Sequence, residues 1–209
     1  MLKRLSLAAL GLLALCSAAL AQANPTFGVT SGYAPKQTYS AVFIGLAPAA
    51  STTDLICISG SASKTITLHQ IKISGSAGTT LSLPVTVLRR ASLNTGGTAA
   101  GTTANPANTI SKRVTTNGTA TAVPIAWTAN PTIVDTSPTY IDSQQLAVSL
   151  TTMATVGNIV TFDWGKDIEN LQQAPTIRNG QTTQAICVNL NATSLASGLL
   201  TGSLTWTEE

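Results

Sequence analysis

The sequence predicts an all-β fold, a two-sheet antiparallel β-sandwich of jelly-roll type, as a single domain behind a secretory signal peptide. Three observations carry this reading. Apolar residues recur with a period of two, Thr and Ser occupy many of the alternate positions, and Gly, Asn and Pro separate the runs. Short strands spaced in this way are the pattern of two-sheet and barrel proteins.

The N-terminus, MLKRLSLAALGLLALCSAALAQA, places Lys3 and Arg4 ahead of an apolar run that ends in Ala21-Gln22-Ala23. That arrangement predicts a signal peptide over residues 1–23, with no membrane anchor once it is removed. Residues 24–37, NPTFGVTSGYAPKQ, follow as an extended arm whose natural anchors are Phe27, Val29 and Tyr33. Such an arm either crosses its own domain or adds as a strand to the sheet edge of a neighbouring subunit. The domain proper is expected over 38–209.

The first strands are expected at 38–47 and 53–59, TYSAVFIGLA and TDLICIS. TITLHQIKISG, residues 65–75, also alternates, but its apolar series moves from Ile66 and Leu68 to Ile71 and Ile73. Parity therefore slips by one near His69 and Gln70, and a β-bulge would absorb the extra residue. In TLSLPVTVLRR, residues 80–90, Leu81, Leu83, Val85 and Val87 share one face. Pro84 lacks a ladder donor, so this strand should lie at an edge or carry a bulge. Further strands are expected at 119–128, 144–152, 157–164 and 183–191, with a short turn or two of helix in KDIENLQQA, 166–174. The final strand, LLTGSLTWTEE, should turn Leu200, Leu204 and Trp206 inward.

Residues 91–109, ASLNTGGTAAGTTANPANT, hold Leu93 as their one large apolar side chain and no charge. They belong on the surface, as a contact loop or a tolerated insertion.

Cys57 and Cys187 remain after the leader is removed, and an even pair in an exported chain reads first as a disulfide. Two buried thiols that never meet are the alternative. A bridge would require their strands to lie side by side or to face each other across the core.

Composition excludes several functions. Charged residues are 9% of the chain, and losing Lys3 and Arg4 takes the formal net charge from +3 to +1, too little for a nucleic-acid footprint. His69 is the only histidine, and no G-x-S-x-G elbow accompanies it, so triad hydrolysis lacks its parts. Zinc spacing is absent as well. No cofactor and no catalytic residue are expected. DWGKDIE is the one acidic cluster, making Asp163, Asp167 and Glu169 a calcium candidate and Asp163 with Asp167 the hydrolase candidate. Trp127 and Trp164 are the candidate platforms for a surface glycan.

The stretches VLRRASLNTGGT, TANPT, FDWGK, AICVNLNAT and SLTWTEE together resemble a family of uncharacterised β-rich proteins encoded among the virion structural genes of tailed phages and in environmental bacterial genomes. The resemblance covers roughly residues 55–209 and rests on turns and strand ends. It implies a structural or surface-display role. The leader and the cysteine pair depart from that pattern and move the expectation toward an exported protein. The expected function is therefore a secreted or cell-surface, non-enzymatic subunit that self-associates through sheet edges or the 24–37 arm into an oligomer, fibre or surface layer. A secreted glycan-binding module and a virion decoration or fibre protein are the alternatives.

Overall fold

Alternation turns every second side chain toward a common interior, and the described strands follow that rule almost throughout. The structure, a computed structural model, describes residues 36–101, 110–150, 158–165, 173–195 and 197–209, all within the unit Pro35–Glu209. The leader, the arm anchors Phe27, Val29 and Tyr33, and most of the expected 166–174 helical turn lie outside the described residues.

The strands are β1 (Gln37–Leu46), β2 (Thr52–Ser59), β3 (Ile66–Ala77), β4 (Leu81–Arg90), β5 (Thr98–Gly101), β6 (Ile110–Lys112), β7 (Pro124–Ala129), β8 (Thr139–Leu150), β9 (Val160–Asp163), β10 (Thr176–Ile177), β11 (Ala185–Thr193) and β12 (Leu199–Glu208). The described residues contain no helix. The arm expected over 24–37 ends before Gln37, which already pairs with Glu208 as the first rung of β1 and β12. Lys36 is fixed beside it by an ion pair to Glu209 at 2.7 Å.

All-β is therefore the architecture, but the pairing differs from two separate antiparallel sheets. The strands form one mixed sheet in the order β5-β7-β2-β11-β4-β8-β3-β12-β1-β6, with β9 and β10 added to β3. The joint is a short parallel ladder in which Ser76 and Ala77 of β3 meet Ser149 and Leu150 of β8. At this joint β8 has run past its last rung with β4 at Val148, and β3 past its last rung with β9 at Ile73, while Ser76 still pairs with Leu199 of β12 on its other edge.

This sheet is curled. Residues 102–109 tie β5 to β6, the two ends of the order, and a chain of that length reaches about 30 Å at most. A flat sheet of ten strands in this order would hold its outer strands roughly 43 Å apart at ~4.8 Å per gap. The curl brings opposite halves into contact. A β-carbon on Gly202 of β12 would collide with the Ile56 side chain of β2, so glycine is what allows that approach. One apolar cluster runs through both halves and includes Phe43, Ile58, Ile71, Val85, Phe162 and Trp206.

Three local expectations can be followed rung by rung. Opposite β3, Thr205 pairs with Gln70 and Trp206 with Leu68, so His69 is the bulged residue. Its carbonyl accepts the Trp164 amide at 2.8 Å, which brings the end of β9 against the bulge. Trp206, Leu200 and Leu204 point inward as the parity of β12 requires. Pro84 lies in a strand that is interior in the sheet order, pairing with Gln145 of β8 in a ladder whose register shifts between Val87 and Leu88, yet β11 covers β4 only over Thr86–Arg90. Beside Pro84 the strand has one neighbour, so its missing N–H breaks no ladder.

β11 carries a strained step. Between Asn189 and Thr193 it advances four residues while β2 advances two, and Asn191 and Ala192 take φ of 53° and 58°. The left-handed region costs a non-glycine residue about 1–2 kcal/mol, which asparagine tolerates better than alanine. Ala192→Gly should therefore raise the unfolding free energy by about 0.5–1 kcal/mol, after glycine's own entropy loss of similar size is counted. A urea titration checks it, and a lowered midpoint would contradict it.

Candidate functional site

The cysteines come together. β2 and β11 are antiparallel neighbours with Cys57 opposite Cys187, and the two form a disulfide across 130 residues of sequence. Because Ile56, Ile58, Ile186 and Val188 fill the interior, parity sends both sulfurs to the other face. There they pack with Leu88, Trp127, Ala185 and Ile125 in a second, smaller apolar cluster.

Beside that cluster lies a polar node that sequence reading missed. Asp54 is 1% exposed and receives both Nε and Nη2 of Arg90, the latter at 2.8 Å. Asn94 and Asn189 each donate an amide to the same carboxylate at 2.6 Å. Arg90 also donates to the Asp135 carbonyl, and the Asp135 carboxylate receives the amides of Ala91 and Ser137. Those two amides, helped by the nearby Arg90 charge, hold Asp135 below the usual carboxylate range. Asp54, Cys57 and Cys187 stand close enough to suggest a metal cluster. Their chemistry argues for a structural node instead, since the sulfurs are bonded to each other and Asp54 is fully engaged by cationic and amide donors.

Glu208 forms a second buried carboxylate node. It is 2% exposed and accepts the Thr121 amide and hydroxyl, the Ala122 amide and Trp206 Nε1, all between 2.8 and 3.0 Å. The last strand thereby clamps the 118–123 segment over the core. Tyr39 stacks on Trp206, and burial, with Glu208 nearby, pushes its phenol above the ordinary value.

The remaining predicted residues are placed as follows. Trp127 and Trp164 are 6% and 9% exposed, the first against the disulfide and the second stacked on Phe162, so neither presents an open ring face to a sugar. Trp164 follows β9 at an inward position, whereas Trp127 lies within β7 on the face of the disulfide and is covered by that smaller cluster. Asp163 accepts from Gln70 Nε2 at 2.8 Å and from the Gly165 amide at 3.1 Å, while Asp167 and Glu169 lie outside the described residues. His69 is half-buried, with Nε2 2.9 Å from the Thr207 hydroxyl. Burial, with the Lys36 charge, lowers its pKa against the opposing pull of Glu209 and Asp163.

Two surface features remain. On β1 the strand β6 pairs only at Tyr39–Ala41, so beyond Ala41 no described strand covers that edge. The outward face there exposes Val42 at 39% and Ile44 at 61%, next to Leu199 of β12 at 50%. A groove of about 920 Å³ opens elsewhere, where β10 and the 178–184 loop stand beside β4 and β8. Arg89, Arg178, Gln181, Gln184, Thr139 and Thr176 are among its lining side chains, and among the described residues no carboxylate lines it. Neither feature has a motif, because each combines residues far apart in sequence.

Fold and site together define an all-β domain with one disulfide and two buried carboxylates, Asp54 and Glu208, each engaged by donors of its own chain. Comparison with known proteins finds no matching family model, no similar curated protein and no similar solved structure.

Proposed function

We propose that the protein is an exported, non-enzymatic building block that self-associates into an oligomer, fibre or surface layer. In this reading its curled sheet acts as a jelly-roll-like sandwich, and residues 24–35 of one copy add as a strand to the free β1 edge of the next. The observation that carries the proposal is that edge, unpaired by described strands beyond Ala41 and lined by exposed Val42 and Ile44. An open edge with outward apolar residues is a template for strand addition.

Two further facts support it. The segment 24–35 leads directly into Lys36 and β1, the strand whose edge the described strands leave open beyond Ala41, and Phe27, Val29 and Tyr33 give it an alternating apolar pattern in sequence. The buried carboxylates Asp54 and Glu208 are engaged by donors of their own chain, which suits a structural role better than a reaction. The resemblance to virion-encoded proteins agrees with a building block, and a virion is the alternative setting for the same assembly.

Light scattering on residues 24–209 should show a defined, concentration-dependent assembly. Deleting 24–35, or combining Val42→Lys with Ile44→Lys, should leave monomers whose thermal midpoint stays within a few degrees of the parent. Both changes spare the Lys36–Glu209 pair and the β1 ladder. A wild-type chain that is monomeric at high concentration sinks the proposal.

A further inference from the structure

The groove beside β10 has features that a tolerated surface dent lacks. Arg89 of β4 reaches across it to the other half of the sheet and donates Nη1 to the Thr176 carbonyl at 2.8 Å and to Gln184 Oε1 at 3.4 Å. The guanidinium is thus held in place through one nitrogen, and a guanidinium has five N–H donors in a planar fork. The facing wall is held as well. The Gly180 amide bonds to the Ser61 carbonyl, the Asn179 amide to the Thr65 hydroxyl, and Gln184 Nε2 to Gln181 Oε1 at 3.2 Å. Arg178, exposed at the start of that loop, supplies a second cation.

Polar groups that are fixed before a ligand arrives cost it less ordering on binding. The volume, about 920 Å³, falls near the top of the usual range for small-ligand pockets. The chemistry of the walls selects among ligands. Guanidinium groups match planar carboxylates, and threonine hydroxyls with glutamine amides offer both donors and acceptors for sugar hydroxyls. Among the described residues no aromatic ring lines the groove, so stacking on a neutral sugar face is not what they provide.

We propose that this groove binds a short acidic saccharide, with Arg89 and Arg178 taking a sugar carboxylate and the Gln and Thr side chains taking ring hydroxyls. The site shares no residue with the β1 edge, so it goes beyond self-association and holds or fails separately from it.

The test is calorimetric titration of residues 24–209 with tri-galacturonic acid, a hyaluronan tetrasaccharide and sialyllactose, each beside its carboxyl-methylated form, and with sodium sulfate. At least one acid form should bind saturably, at least tenfold more tightly than its methyl ester. Arg178→Ala should weaken that binding at least tenfold with an unchanged thermal midpoint, because the residue is exposed. The proposal is overturned if no acid form binds, if ester and acid bind alike, if Arg178→Ala binds like the parent, or if sulfate competes at equal affinity, which marks a simple anion site.

Discussion

Replacing Cys57 and Cys187 together by alanine will remove about 5 kcal/mol of unfolding free energy, the largest single loss expected in this chain. The bridge closes a loop of 130 residues, and chain-entropy cost grows with the logarithm of loop length. Domains of this size have a total stability of about 5–15 kcal/mol, so the variant should be close to unfolding at room temperature. Urea titration of the oxidised parent, the reduced parent and the double alanine variant measures the effect. The reduced parent should fall near the variant, since the native contacts around Leu88 and Trp127 differ little between them. A loss below about 1 kcal/mol would mean that the unfolded chain is already confined without the bridge.

Arg90→Met should cost about 3–5 kcal/mol, because it leaves the Asp54 carboxylate buried without its cation. Side-chain exposure at the pair is 4% and 0%, so solvent does little to screen the orphaned charge. Adding Asp54→Asn should recover part of that loss, since it removes the buried charge, although its single amide oxygen can accept from only one of Asn94 and Asn189, which donate to different oxygens of Asp54. A double-mutant cycle reads the coupling directly. If Arg90→Met alone loses less than about 1 kcal/mol, water reaches the node and its burial is not what makes the pair matter.

Periodicity made some of this structure legible in advance. Parity alone located the inward face of β12 and the bulge at His69, because a half-buried strand cannot shift by one residue without reversing its faces. The cysteine pairing followed from two thiols in an exported-looking chain. The joint between β3 and β8 was not legible, since a two-residue ladder between strand ends leaves no pattern. Pro84 was legible only locally: beside it β4 has one neighbour, because β11 stops at Thr86, and its ladder with β8 shifts register between Val87 and Leu88, yet sequence does not show that the same strand is interior further on. β5 was hidden because a four-residue edge strand of Thr, Ala and Gly has no apolar alternation. The indoles misled most. A tryptophan near a strand end reads equally well as a platform or as a plug, and only the packing of Trp127 on the disulfide and Trp164 on Phe162 separates the two. Asp54 with Arg90, and Arg89 with Arg178, are partners in space with no regular spacing along the chain.

The antiparallel match of Gln37 with Glu208 also decides how the domain carries load. Force applied between these neighbouring ends acts across the rungs of the β1 and β12 ladder, peeling them one at a time from Gln37 toward Phe43. Such an unzipping geometry yields at low tension, whereas tension applied along the strands would strain many rungs at once. A filament strung through β1 at one end and β12 at the other would thus have a compliant hinge in every subunit, while the disulfide between β2 and β11 would limit how far each could extend before the chain was held covalently.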